Sequence, residues 1–200
     1  MRFILLTFFF FNFLLVQAQL KVGHLTYSIE FSSNEPDLSA VLSMLEGSKM
    51  EVYFKNNLTR SEMNLGSIMS IATITDSIED AVVVLMDGLT GKTALKSSIS
   101  EMEMILDTAK MITNYEEEFK DVLGFNCQKV SVKDAFGKET FYWVTNEIYV
   151  TKLGQNYLSD EVNGFPMEFE LNNNGLKMKL KVQHFENNLS EYNLEQLFQF

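Results

Sequence analysis

Two histidines, one cysteine and a run of three glutamates are the residues with the most chemical reach in this chain. His24 and His184 could serve as general bases or metal ligands, Cys127 as a thiolate nucleophile, and Glu116-Glu117-Glu118 as a paired acid and base. Their spacing assembles none of these. Two His and one Cys fall short of a zinc cage, and a lone cysteine has no disulfide partner within the chain. Cys127 follows Phe125 and Asn126 in an alternating run, remote in sequence from both histidines, and reads as a buried structural thiol. The three glutamates alternate faces if the segment is a strand, and read as solvated charge. His24 on the polar face of the first strand and His184 near the end of the last read as surface histidines. Gly91-Lys92-Thr93 ends like a phosphate-binding loop. The glycine that must open such a loop would fall at Met86, and a strand rather than a helix follows. No Ser, His and Asp set has a nucleophile turn. We expect no catalytic residue, no metal site and no cofactor.

A chain of 200 residues with 46% apolar and 22% charged residues builds one folded domain. Its net charge of −11 argues against a nucleic-acid partner. Six of the 17 phenylalanines lie in the first thirteen residues. There Arg2, the apolar stretch Phe3 to Val16 and the small-x-small site Val16-Gln17-Ala18 form a secretory leader, too short to span a bilayer. The expected organisation is a cleaved leader at 1–18, a single β-rich domain at 19–186 and a short tail at 187–200 with room for a short helix. No cysteine stands at the cleavage point to take a lipid. The expected location is therefore the periplasm or beyond the cell, with no transmembrane span after cleavage; the oligomeric state is left open.

The elements that must position any site are strands. Leu25, Tyr27, Ile29 and Phe31 alternate with Thr26, Ser28 and Glu30, the period of a half-buried strand. The same alternation recurs at Met50/Val52/Phe54, Met167/Phe169/Leu171 and Leu176/Met178/Leu180/Val182, and predicts antiparallel pairing with one wet face. Asn56-Asn57 predicts a hairpin that sets Met50 opposite Met63, Tyr53 opposite Arg60, and Glu51 against Glu62, a like-charged pair that reads first as screened by Lys49 and Arg60, with a slipped register and a weak cation site as the alternatives. A turn at Asn173-Asn174 predicts Glu170 opposite Lys177 and Phe169 opposite Met178. Further strands are expected at 68–75, 81–86, 92–97, 112–120, 127–133 and 139–147. Two segments carry a helical period instead: 34–47, with a stripe of Leu38, Val41, Leu42 and Leu45 and a cap at Asn34, and 100–110, with Met102, Ile105, Leu106 and Ala109 and a capping box at Ser100 and Glu103. The fold class is mainly β: a strongly curved antiparallel sheet or half-open barrel of about ten strands, with two short helices packed on or in its concave apolar face.

Ten methionines follow the leader, and several fall on the apolar face. Met is flexible and polarisable and lines adaptable grooves, though it also fills ordinary cores. The candidate lining is Tyr27, Met50, Phe54, Met63, Met86, Phe141, Trp143, Phe169 and Met178.

The segments GHLTY (23–27), KMEVYF (49–54), RSEMN (60–64), LMD (85–87), GFNCQK (124–129), WVT (143–145), GFPME (164–168) and MK (178–179) occur in an order that resembles an exported family of Bacteroidota envelopes, domain of unknown function 4412. The resemblance implies a fold like that of the periplasmic lipoprotein carriers of the LolA and LolB kind, a half-barrel around an apolar cavity. It implies no catalytic residue. The expected function is a non-enzymatic envelope protein holding a lipid, an acyl chain or a hydrophobic peptide. The alternative is a structural or interaction module with a closed core.

Overall fold

A computed structural model describes residues 19–101, 112–133, 137–150, 162–173 and 175–199. The leader at 1–18, the helical stripe from Met102 to Ala109, the Ser100–Glu103 capping box and Phe200 lie wholly or partly outside these residues. Alternating β-branched, aromatic and polar residues produce eleven strands. They are β1 (Val22–Ser33), β2 (Lys49–Lys55), β3 (Leu58–Leu65), β4 (Met69–Asp76), β5 (Ala81–Gly88), β6 (Gly91–Ser97), β7 (Ile112–Val122), β8 (Phe125–Lys133), β9 (Glu139–Thr145), β10 (Phe165–Asn173) and β11 (Leu176–Glu186). All join one antiparallel sheet in the order β6-β5-β4-β3-β2-β1-β11-β10-β9-β8-β7. The first and last strands of the domain meet in the middle, β1 on β11, and successive hairpins extend the sheet to either side. Among the described residues β6 and β7 do not pair with one another, so the curved sheet stays unclosed.

The β2–β3 hairpin has the expected register: Met50 faces Met63, Tyr53 faces Arg60 and Glu51 faces Glu62. Lys49 pairs with Glu51 at 3.4 Å and Arg60 with Glu62, so each like charge has its own counter-ion. Asn56 takes the turn at φ +55. The β10–β11 hairpin corrects the expected register by two residues. Asn173 pairs with Leu176, placing Leu171 opposite Met178 and Phe169 opposite Leu180. Gly175 adopts φ +79, so the tight turn forms where glycine can take left-handed backbone, one residue beyond the expected loop. A shift of two keeps every side chain on its face. The expected charge pairs survive as diagonals, Lys177–Glu170 at 3.8 Å and Lys179–Glu168 at 3.3 Å.

The segment between β1 and β2 folds as a 3-10 turn (Pro36–Leu38) running into α1 (Ser39–Met44), shorter than the sequence pattern and without a side-chain cap from Asn34. Leu38, Val41 and Leu42 are half-buried and Leu45 is buried, so the predicted stripe faces inward. The segment runs along one rim of the sheet. Ser33 Oγ donates to Gly175 O at 2.9 Å, and Ser67 N donates to Met44 O at 2.9 Å. After β6 a helical turn begins at residues 99–101. Its capping box stands at Ser98 and Glu101, two residues before the expected pair: Glu101 N donates to Ser98 Oγ at 3.2 Å and Ser98 N to Glu101 Oε2 at 3.3 Å. No helix among the described residues is long and apolar enough to cross a membrane.

One core cluster follows the apolar face across β2, β1, β11, β10, β9 and β8. A second forms on the opposite face, where the chain end returns. There α2 (Leu194–Leu197), its Asn193 side chain accepting from Gln196 N at 3.3 Å, brings Leu189 and Phe198 against Tyr53.

Candidate functional site

Cross-strand register places seven of the nine candidate lining residues on one face. Tyr27 stands opposite Met50, Met50 opposite Met63, Met63 opposite Ile71 and Ile71 opposite Met86. These side chains form a single row perpendicular to five strands. Phe54, Phe169 and Met178 lie on the same face in neighbouring rows. The row grades in exposure: Tyr27 and Met50 are fully buried, whereas Met63, Ile71 and Met86 are half-buried. Its buried end is held by side-chain contacts. Tyr27 Oη donates to Pro166 O at 2.6 Å, reaching past β11 to β10, and its ring meets Phe169 edge-on at 6.4 Å, with Tyr142 stacked on Phe169 at 5.7 Å. A side chain bridges to the second strand over when the sheet curves toward it, so this face is concave at β1–β10.

Phe141 and Trp143 do not join the row. Register sets Trp143 opposite Glu168 and Phe141 opposite Ser131, on the other face. There Lys120 Nζ lies 4.2 Å over the Trp143 ring and Lys129 Nζ 5.0 Å over Phe141. Both rings line a cavity of about 390 Å³ with Lys138, Lys177, Glu168 and Glu170. Burial raises the Glu168 carboxyl, but the hydrogen bond and charge of Lys120 at 2.8 Å, with Lys179, outweigh it and hold the group below its ordinary value. Lys129 pairs with Glu116 at 3.0 Å and Glu118 at 2.9 Å, so two of the three glutamates are neutralised by a bulge rather than simply solvated.

A cavity of about 600 Å³ also opens on this second face over β2 to β6. Ser70, Ala72 and Ala94 leave its floor low, and Arg60, Glu62, Asp87 and Lys92 rim it. Its charges are matched in pairs, Arg60 with Glu62 and Lys92 with Asp87 at 3.0 Å. Met63, Ile71 and Met86, which belong to the row on the other face of these strands, also border it. Lys92 therefore acts in a strand-edge ion pair, with no phosphate loop around it.

His24 corrects the surface assignment. It is 6% exposed, stacked on Tyr53 with ring centroids 4.3 Å apart, and Tyr192 Oη lies 3.1 Å from its Nδ1. Glu51 and Glu186 each lie 4.0 Å from an imidazole nitrogen. Burial holds the imidazole below its ordinary pKa, against the pull of Glu51 and Glu186. The chain end covers a polar face that alternation alone reads as wet. His184 is exposed and pairs with Glu186 at 3.1 Å, as a surface histidine does. Cys127 is fully buried, and burial pushes its thiol up to about 12. It is a protonated core residue at neutral pH and no nucleophile. Among the described residues no three His, Cys, Asp or Glu side chains cluster as metal ligands.

Sequence reasoning passed over one further feature of the apolar face. Thr59 faces Thr75 and Ser61 faces Thr73 across β3 and β4, a block of four hydroxyls beside Phe54 and Val82. Thr59 and Thr75 are 1% and 0% exposed. Threonine is at home in strands and reads as polar, which hides an inward hydroxyl from pattern analysis.

No protein-family model matches the chain, so the family resemblance remains an expectation from sequence. No curated protein matches it. Among solved structures the chain is similar to PNGF-II, at 14% identity and a TM-score of 0.43, over 89% of this chain and 29% of that one. It thus spans less than a third of that protein's length. It is similar to a DUF1329 family protein from Desulfovibrio piger, at 10% identity and a TM-score of 0.40, over 92% and 91% of the two chains. It is similar also to a LolA superfamily protein from Nitrosomonas europaea, at 8% identity and a TM-score of 0.22, over 84% and 86%. All three scores fall below 0.5, so the fold assignment rests on the sheet itself: a curved, unclosed antiparallel sheet of eleven strands.

Proposed function

We propose that this is an exported, non-enzymatic protein of the cell envelope that holds a hydrophobic ligand, a lipid, an acyl chain or an apolar peptide, on the concave face of its half-barrel. The observation that carries the reading is the row from Tyr27 through Met50, Met63 and Ile71 to Met86, fully buried at one end and half-buried at the other. Anchored aromatics fix the shape of one wall, and flexible thioethers let the other wall adjust to chains of different length and unsaturation. The matched charges of the second face keep that side polar. Export is supported by the leader pattern at 1–18.

The test is native mass spectrometry, with organic extraction, of the chain purified from the envelope fraction of a host that secretes it. A bound lipid or apolar peptide released by extraction supports the reading. A chain of bare mass that excludes apolar dyes at every concentration refutes it and favours the closed interaction module.

A further inference from the structure

The hydroxyl block on β3 and β4 interrupts an apolar face. In one row Phe54, Thr59, Thr75 and Val82 stand side by side, and in the next Val52, Ser61, Thr73 and Val84. Phe54 and Val82 are each 1% exposed, so the Thr59–Thr75 pair is flanked by apolar side chains and shut off from bulk water, and of the next row Thr73 is 7% exposed while Ser61 is half-buried. The Thr59 and Thr75 hydroxyl oxygens nevertheless meet no hydrogen-bond partner among the described residues. Buried hydroxyls in native proteins are almost always paired, because an unpaired one forfeits its hydration. Two of them directly opposed on adjacent strands form a two-point hydrogen-bonding site.

We propose that the Thr59–Thr75 pair, with Ser61 and Thr73 beside it, is the subsite that takes the polar end of the ligand, and that this end is neutral: a hydroxyl, or the carbonyl of an ester or amide. The inference rests on the hydrophobic-ligand reading and narrows its ligand class. Threonine hydroxyls both donate and accept, so they suit a group that does either. The inward positions of these two strands, Thr59, Ser61, Met63 and Leu65 on β3 and Met69, Ile71, Thr73 and Thr75 on β4, include no charged residue. A buried carboxylate or phosphate would meet no counter-charge from them, and an unpaired buried charge is strongly disfavoured. The Met63–Ile71–Met86 row lies two rows away on the same face, within reach of an acyl chain whose head sits on the threonines.

The experiment is displacement of an apolar fluorescent dye from the full chain by 1-monooleoylglycerol, by oleate and by the hydrocarbon 1-octadecene, for the wild type and for Thr59→Val and Thr75→Val. Valine keeps the shape of threonine and removes only the hydroxyl. The expected result is that monooleoylglycerol competes at least tenfold better than oleate. Each valine variant then weakens monooleoylglycerol about tenfold and leaves octadecene unchanged. Binding of all three probes without regard to the hydroxyls overturns the inference and leaves the hydrophobic-ligand reading standing, as does a preference for oleate. Failure of the wild type to bind any of the three overturns both. The valine variants also carry a ligand-free readout. An unpaired hydroxyl replaced by a methyl raises the melting temperature of the empty chain, whereas a lowered one shows that the hydroxyls are already paired and overturns the inference.

Discussion

Acidification should destabilise this protein through His24 before any carboxylate with a lowered pKa responds. The imidazole lies between Tyr53 and the returning chain end at 6% exposure, and burial sets its folded-state pKa below 6.5. The unfolded chain therefore takes up this proton first as pH falls. The stability from neutral His24 is present in full above about pH 6.5 and is lost as pH falls through the lower folded value. A single proton limits the loss to about 1.4 kcal/mol per pH unit. Two carboxylates oppose it. At 4.0 Å each is worth on the order of 4 kcal/mol to an imidazolium at an effective dielectric near 20. Glu51 is 22% and Glu186 41% exposed, so solvent discounts both toward the small values of surface pairs. Desolvating the imidazolium costs several kcal/mol and prevails. Glu168 has a depressed pKa and gives up its contribution only below about pH 4.5, so the two windows separate. Urea unfolding at pH 7.5, 6.5 and 5.5 measures the effect. The wild type should lose up to about 1 kcal/mol between the last two points, and His24→Gln should be flat there. A wild type that gains stability on acidification would show that Glu51 and Glu186 outweigh burial, and would refute the reasoning.

Three further outcomes follow from the packing. Phe169→Ala removes a buried ring that touches both Tyr27 and Tyr142 and should cost about 3–5 kcal/mol, read from the denaturation midpoint. Cys127, fully buried with its thiol pushed up to about 12, should resist maleimide at pH 7 in the folded chain and react at once in denaturant; rapid native labelling would place it elsewhere. Gly66→Ala should lower the melting temperature. Gly66 holds φ +55, and a Cβ there would lie 2.1 Å from Met44 O, the carbonyl that accepts from Ser67. An unchanged melting temperature would show that the rim contact between α1 and the β3–β4 turn carries no weight.

Alternation made the sheet legible. Leu25, Tyr27 and Ile29 against Thr26 and Ser28, and Met50 against Met63 across Asn56-Asn57, carry the face and register of the central strands directly, because a one-residue slip would turn every apolar side chain outward. The β10–β11 register was not legible to better than two residues. A two-residue slip preserves both the apolar face and the charge pairing, and the preference of Gly175 for positive φ decides between the registers. Phe141 and Trp143 share a face with each other, and their own alternation identifies that pair. Which face that is depends on pairing with Glu168 and Ser131, a long-range matter. His24 illustrates a third limit. Its ring is covered by Tyr53 of β2 on one side and meets Tyr192 edge-on, and Tyr192 lies 168 residues away in the chain, where a local pattern has no access to it. The hydroxyls of Thr59 and Thr75 were hidden for a chemical reason, since a methyl and a hydroxyl on one Cβ satisfy either face of a strand.

The central claim is that the concave face holds a hydrophobic ligand with the methionine row as its adaptable wall, and methionine methyl groups report on it directly. Spectra of the chain labelled with 13C-methyl methionine, titrated with 1-monooleoylglycerol, should show saturable shifts at Met63, Met69, Met86 and Met178, the half-buried methionines of that face among the described residues. Met44, exposed on α1, should stay in place. Shifts confined to Met44, or none at saturating lipid, would contradict the account and leave the sheet as a closed structural core.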